Sequence, residues 1–262
     1  MKISTIKFSM CLAIGLNLSG CATTEFQKDP KGTAELKTQI AAEHLKSGNV
    51  DAAKVALDDA LSKDPNNSLA LMSMGLTYQL VGNRQSTELA DRYFKRASTL
   101  EPKNPQIRNN YGQYLYSVKR YEDAIKEFSV AAHTIGYPHR EVALSNLGKS
   151  YLQIGNYNSA IDSLLDSIRI NNTQAETLLN LAEAQYKNGD VDSASVAYDD
   201  FLIHQKSNQS TARSIWIGII IDRANKNFIS MNKGIEKLTE LYPDSAEFKL
   251  YNEQKNSNKA WN

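Results

Sequence analysis

The chain has 262 residues, with 30 Lys and Arg against 29 Asp and Glu, so its formal net charge is +1. A near-neutral chain without a basic stripe lacks the charge pattern of nucleic-acid-binding proteins, so no nucleic-acid partner is expected. Only two cysteines are present, Cys11 and Cys21, and both lie near the N-terminus. The rest of the chain therefore offers no thiol for a disulfide, a metal site or a nucleophile.

The first 20 residues have the layout of a secretory signal peptide. Lys2 and Lys7 supply a positive start, residues 8–18 form an apolar run, and small residues lead into Cys21. This run is too short to cross a bilayer as a helix. We predict that residues 1–20 are removed, which takes two basic residues and no acidic residue away and leaves a net charge of −1.

The Leu-Ser-Gly-Cys ending of this segment resembles a bacterial lipobox. The resemblance implies that the Cys21 thiol receives a diacylglycerol and that the new amino group is acylated after cleavage. Several acyl chains give stable attachment, because each buried CH₂ contributes ~0.8 kcal/mol. Ala22, rather than Asp, follows the cysteine, which resembles the sorting rule for the inner leaflet of the outer membrane. The alternative is an ordinary signal peptide with a chance cysteine. Residues 21–33 are polar and are predicted to be a lipidated tether.

An internal repeat covers residues 34–251. A pattern of three residues returns after 34 positions, from Ala90, Phe94 and Ala97 to Ala124, Phe128 and Ala131. A small residue and an aromatic on one helix, followed by this pattern and a proline on the next, resembles the tetratricopeptide repeat. We therefore predict an all-α superhelix of six helix-turn-helix repeats. Their expected ranges are 34–63, 68–100, 105–135, 140–170, 175–205 and 211–241, with a capping helix after Asp244 and a flexible tail over 252–262.

No motif for catalysis or metal binding is found along the chain. The four histidines have no partner at the spacing of a known zinc motif. Adjacent carboxylates such as Asp58 and Asp59 diverge by about 100° on a helix and do not form an acid–base pair. We therefore expect no cofactor, no metal and no small-molecule substrate, and we predict that the chain is not an enzyme.

One helix is apolar on two sides, which singles it out among the repeats. Besides the inward stripe shared by all repeats, residues 68–81 carry a second stripe at positions that should line the concave groove: Leu69, Met72, Leu76 and Leu80. Leu45 of the first repeat adds to it. One interpretation is that the neighbouring repeats cover this stripe. The other is an open apolar groove that takes an amphipathic helix or an extended segment of a partner.

Several segments resemble the type IV pilus biogenesis lipoproteins of the PilF and PilW family. These segments are Asn109–Gly112, Arg120–Ala124, the Tyr137–Pro138 turn, Ala143–Gly148, Trp216–Ile219 and Leu241–Ser245. The resemblance covers nearly the whole mature chain. It implies a pilotin, which escorts the secretin subunit to the outer membrane and promotes its assembly into a ring. The lipid on Cys21 would supply location, and the repeat groove would supply specificity.

Two other functions remain open from the sequence. A different periplasmic adaptor lipoprotein, such as a scaffold for cell-wall hydrolases or an outer-membrane assembly factor, would share the lipobox and the repeats. An enzyme or a sugar-binding module would need a pocket with converging polar groups, and the sequence indicates none.

Overall fold

The computed structural model describes residues 29–205, 210–256 and 261, and within these ranges it contains thirteen α-helices and no β-strand. The all-α prediction is confirmed. The helices are α1 (Pro30–Lys46), α2 (Val50–Lys63), α3 (Ser68–Val81), α4 (Arg84–Leu100), α5 (Pro105–Ser117), α6 (Tyr121–Ala132), α7 (Arg140–Gln153), α8 (Tyr157–Ile170), α9 (Ala175–Lys187), α10 (Val191–His204), α11 (Ala212–Ala224), α12 (Phe228–Leu241) and α13 (Ala246–Gln254).

The two ends of the array differ in detail from the sequence-based boundaries. Helix α1 begins at Pro30, four residues before the expected position, because Asp29 caps it and proline is well suited to the first helical position. The first turn of α1 therefore lies within the segment assigned to the tether. At the other end, α13 continues to Gln254, and Trp261, which lies in the segment assigned to the tail, is buried.

Helix starts are marked by short polar side chains. Asn49, Asn67, Asn83 and Asn156 each accept a hydrogen bond from the backbone N–H three residues further along. Such a cap satisfies a donor that the helix itself leaves unpaired, and losing it costs about 1 kcal/mol. The regular recurrence of these asparagines is one reason why the helix boundaries can be predicted from the sequence.

Close approach of the two helices in a repeat depends on glycine. A Cβ atom at Gly75, Gly112 or Gly148 would lie 2.9, 2.7 or 2.6 Å from the nearest atom of the facing side chain, which belongs to Phe94, Phe128 or Leu164 respectively. Carbon atoms do not approach so closely, so only glycine allows this packing. The sequence-based interpretation of these glycines as close helix contacts agrees with this geometry.

Repeat six departs from this arrangement. Gly218 of α11 faces Tyr198 of the preceding repeat, whose hydroxyl would lie 2.4 Å from a Cβ there, and Gly234 of α12 faces Ile219. The Tyr198 hydroxyl also donates to the Ser214 carbonyl at 3.1 Å. The tyrosine therefore packs between α10 and α11, so the close contact at Gly218 joins two repeats rather than the two helices of one repeat.

The hydrophobic core is a stack of four clusters along the array rather than one centre. Neighbouring clusters share partly buried tyrosines, which are Tyr78 and Tyr93 between the first two, Tyr151 between the next two and Tyr186 between the last two. Each repeat thus buries its apolar face against the next, as expected of a solenoid.

The first helices of the repeats line the inner face of the superhelix. Helices α1, α3, α5, α7, α9, α11 and α13 each contact the next first helix in this series. Among the described residues, the second helices do not pack on one another to a comparable extent. Because elements are most closely spaced on the inside of a curved stack, the odd-numbered helices form the concave surface. Across the described ranges, no helix is both long and apolar enough to cross a bilayer.

Candidate partner-binding groove

Helix α3 is buried over most of its circumference, so only part of the predicted apolar stripe is accessible to a partner. Met72 is only 4% exposed and belongs to the core cluster that also contains Ile107 and Tyr111 of α5. Its burial removes Met72 from the surface that a partner could reach, which corrects its assignment to an open groove. The reason is that α5 packs against α3 and covers this part of the helix.

The other members of the stripe are more accessible. Leu69 and Leu80 are 40% and 60% exposed, whereas Leu45 and Leu76 are half-buried and pack against core clusters. Leu69 and Leu80 are eleven residues apart, which is three helical turns and about 16 Å, so they lie on one side of α3. The accessible apolar strip therefore consists of Leu69, Leu76 and Leu80.

A polar pocket adjoins one end of this strip. It has a volume of about 440 Å³ and borders Leu69, with Lys31, Glu35 and Gln39 of α1 and Glu101 among its lining residues. The strip thus runs from a charged pocket beside α1 along an apolar helix face. A partner segment with one polar end and several apolar side chains would match both parts.

Repeat three continues the inner face with side-chain amides. The amides of Gln106, Asn109, Asn110 and Gln113 line a pocket of about 590 Å³ that is closed on one side by the Tyr137–Pro138 turn. Asn109 is buried and accepts a hydrogen bond from Asn146 at 3.4 Å. Amides both donate and accept, so they can pair with the backbone of an extended peptide.

A lysine of repeat four packs against a tyrosine ring of repeat three. The Lys149 ammonium lies 5.1 Å from the centroid of the Tyr116 ring, within cation–π range. Burial raises the pKa of Tyr116 to about 12, so the phenol is neutral at physiological pH. This lysine is therefore held against the groove wall by a ring rather than by a carboxylate.

An arginine joins repeats five and six. Arg213 of α11 donates to Glu183 at 2.5 Å, to Glu176 at 3.1 Å and to the Asn180 side-chain oxygen at 2.7 Å, all on α9. Because the acidic groups are already paired, this part of the inner face offers no free carboxylate pair for acid–base chemistry. In the described part of the chain, no group of three metal-binding side chains is brought together. Cys21, the predicted lipidation site, lies outside the described residues.

These features identify the chain as a superhelix of tetratricopeptide repeats with a concave inner face. Tetratricopeptide-repeat family models match residues 80–139, 148–189 and 176–203. Over 257 residues the chain is 30% identical to the type IV pilus assembly protein PilF of Pseudomonas aeruginosa, covering 96% of this chain and all of that protein. The chain therefore belongs to the family of type IV pilus assembly proteins represented by PilF.

Solved structures agree with this assignment. The structure of Pseudomonas aeruginosa PilF superposes with a TM-score of 0.75 at 28% identity, covering 86% of this chain and 99% of that one. PilW, described as a widely conserved type IV pilus biogenesis factor, superposes with a TM-score of 0.71 at 24% identity, covering 82% and 96% of the two chains. At this level of identity, the similarity to PilW shows that the two chains share a fold.

Proposed function

We propose that this protein is a pilotin. It is an outer-membrane lipoprotein that faces the periplasm, binds the secretin of the type IV pilus and promotes its localisation and assembly. It acts by binding and carriage rather than by catalysis. The observation that carries this proposal is the combination of the PilF relationship over nearly the whole chain with the accessible apolar strip of α3.

The Leu-Ser-Gly-Cys sequence supports the membrane part of the proposal. Pro30, where α1 begins, is nine positions after Cys21 in the sequence. An extended chain spans at most about 3.3–3.6 Å per residue, so a lipid on Cys21 keeps the start of repeat one within about 30 Å of the anchored atom. The accessible strip lies in the next repeat, so a bound secretin segment would be held near the membrane into which its subunit assembles.

The chemistry of the strip supports a short amphipathic partner segment. Leu69, Leu76 and Leu80 offer apolar contacts over about 16 Å, the length of three turns of a docked helix. The neighbouring pocket supplies charged groups at one end only, so it sets the direction in which such a segment binds. The secretin segment that fits has several apolar side chains on one face and a polar end.

The groove is tested by Leu69→Lys combined with Leu80→Lys. Acidic residues near Leu69 tolerate a lysine there, and a lysine at Leu80 suits the C-terminal end of α3. We expect a folded protein that no longer supports secretin multimers in cells, measured by immunoblotting of outer-membrane fractions. The matched control is Val55→Lys with Val196→Lys, at exposed positions of the second helices, which should leave the multimers unchanged.

Membrane attachment is tested separately by Cys21→Ser. We expect loss of palmitate labelling and loss of the protein from the outer-membrane fraction, since the acyl chains on Cys21 are the proposed anchor. Continued labelling would contradict the lipidation site.

Normal secretin multimers in the groove variant, together with a cross-linked cell-wall hydrolase in a pull-down, would favour the alternative adaptor function.

A further inference from the structure

Trp261 is buried against the inner face of the last repeats, although it lies seven residues beyond the end of α13. Only 4% of its surface is exposed. Its ring stacks on Trp216 of α11, with the ring centroids 5.8 Å apart and the planes inclined by 7°. The Tyr251 ring meets it edge-on at 5.7 Å. Flat, nearly parallel stacking of this kind is a specific contact rather than a loose covering of the helix.

A cation completes the surroundings of the ring. The guanidinium carbon of Arg223 lies over the Trp261 ring, 4.2 Å from its centroid. Arg–Trp pairs are among the stronger cation–π contacts and gain strength when water is excluded. Trp216, Tyr251 and Arg223 therefore form an aromatic and cationic box whose occupant must be a flat, electron-rich ring.

The box also binds the backbone of its occupant. The Tyr186 hydroxyl on α9 donates to the Trp261 carbonyl oxygen at 2.6 Å. A site that holds one side chain and the main-chain carbonyl of the same residue has the two elements that recognise an extended peptide. Nothing in these contacts requires the occupant to be joined to α13.

The walls of the box belong to the array rather than to the occupant. Tyr186 packs in the core of repeats five and six, and Trp216 packs with Ile215 and Leu238 in the last core cluster. Helices α9 and α11 are both first helices, so the box opens onto the concave face. If Trp261 left, Tyr186 and Trp216 would keep these core contacts, and the Trp216 ring would be exposed on its stacking face.

The present occupant fits the box imperfectly. The indole Nε1 of Trp261 is buried and has no hydrogen-bond partner in the part of the chain that the structure describes. A buried donor without a partner opposes the contact. An aromatic ring of the same shape without this N–H would bind the same walls more tightly.

We propose that the inner face of repeats five and six carries a second binding site, which takes an aromatic residue of an extended peptide segment. Trp261 is its resident occupant, and an incoming segment with an aromatic side chain displaces it. This site is separate from the strip on α3. It is therefore a second binding site in the groove, and Trp261 competes for it with an incoming segment.

The test uses the full chain with Trp261→Ala and a fluorescein-labelled peptide of residues 257–262, measured by fluorescence anisotropy. The control peptide has alanine in place of the tryptophan. We expect the variant to bind the tryptophan peptide and not the control peptide. The unaltered chain should bind at least about tenfold more weakly, because a tethered occupant competes at a millimolar effective concentration.

Two further measurements test the hydrogen bond from Tyr186 and the cost of the unpaired indole N–H of Trp261. Tyr186→Phe in the Trp261→Ala background removes one hydrogen-bond donor and should weaken binding about fivefold. Tyr157→Phe on α8 is the matched control and should have no effect. A peptide with the isosteric benzothienyl side chain, which lacks the N–H, should bind up to about tenfold more tightly than the tryptophan peptide.

Several results would overturn the proposal. One is a folded Trp261→Ala chain, by circular dichroism, that binds neither peptide or binds both equally. Another is an unaltered chain that binds the peptide as tightly as the variant does. An unfolded Trp261→Ala chain would make Trp261 an obligatory core residue and would also refute a displaceable occupant.

Discussion

The inner face of repeat two and the inner face of repeats five and six are built on the same helical scaffold but differ in what they expose. The first exposes apolar side chains, whereas the second is covered by ion pairs and an aromatic stack. On α3, Leu69 and Leu80 remain accessible, and no described residue is stacked on them as Trp261 is stacked on α11. On α9 and α11, Arg213 pairs with Glu176 and Glu183, and Trp261 covers Trp216.

This difference shows that the contacts that stabilise the array are distinct from the side chains that a partner can reach. Packing between paired helices is nearly the same in repeats two, three and four, because a glycine opposes a large side chain in each of them. The inner-face side chains, by contrast, differ from repeat to repeat, from the exposed leucines of α3 to the ion pairs and the aromatic stack of α9 and α11. One end of the groove is therefore open and apolar, and the other end is closed by ion pairs and an aromatic stack.

The largest expected effect distinguishes the buried from the accessible part of the α3 stripe. Met72→Glu places a charge in the core next to Ile107 and should cost about 3 kcal/mol or more of unfolding free energy. Leu80→Glu, on the same helix, should cost less than about 1 kcal/mol. Urea denaturation measures both. Equal costs would mean that the division of the stripe into buried and accessible residues is incorrect.

The shared scaffold is tested by Gly148→Leu. Even a Cβ atom there would lie 2.6 Å from the Leu164 side chain and 3.0 Å from the Ala160 carbonyl oxygen, so a larger side chain must push α7 and α8 apart. Overpacking of this kind costs ~1–3 kcal/mol. Gln153→Leu, at an exposed position on α7, is the control and should change the melting temperature little. An unchanged melting temperature for Gly148→Leu would contradict the close-packing role.

A smaller effect is expected from Arg213→Ala, which opens the charged end of the groove. The change leaves the Asn180 side-chain oxygen without its donor and leaves Glu183 with only its longer ion pair to Lys187, and it should cost about 1–2 kcal/mol. Arg84→Ala is the control, because Arg84 is 95% exposed and its pair with Glu88 contributes little. Similar stability of the two variants would show that the ion pairs of repeats five and six do not hold them together.

Much of the fold could be predicted because its signals are local and repeated. Asparagine caps and small residues such as Gly112 recur at fixed spacing, so the helix pairs could be placed without knowledge of tertiary contacts. Gly218 shows the limit of this argument. Gly218 keeps the small residue of the repeat pattern, but the sequence does not show that it faces Tyr198 of the preceding repeat rather than a side chain of its own repeat.

The groove was harder to predict because exposure depends on neighbouring helices. Periodicity placed Met72 and Leu80 on one stripe, but it could not show that α5 covers the first and leaves the second accessible. Trp261 was missed for a related reason. The polar residues around it suggest a tail, and its stacking partner Trp216 lies 45 positions earlier in the chain, beyond the reach of local patterns.

Site-specific photo-cross-linking in cells that produce the secretin tests the central claim most directly. A photoreactive amino acid is placed singly at Leu69, Leu80, Val196 or Ile203, all of which are exposed. We expect secretin adducts from Leu69 and Leu80 and none from Val196 and Ile203 on α10. Adducts from α10 alone, with none from α3, would contradict the assignment of the groove at repeat two as the partner-binding surface.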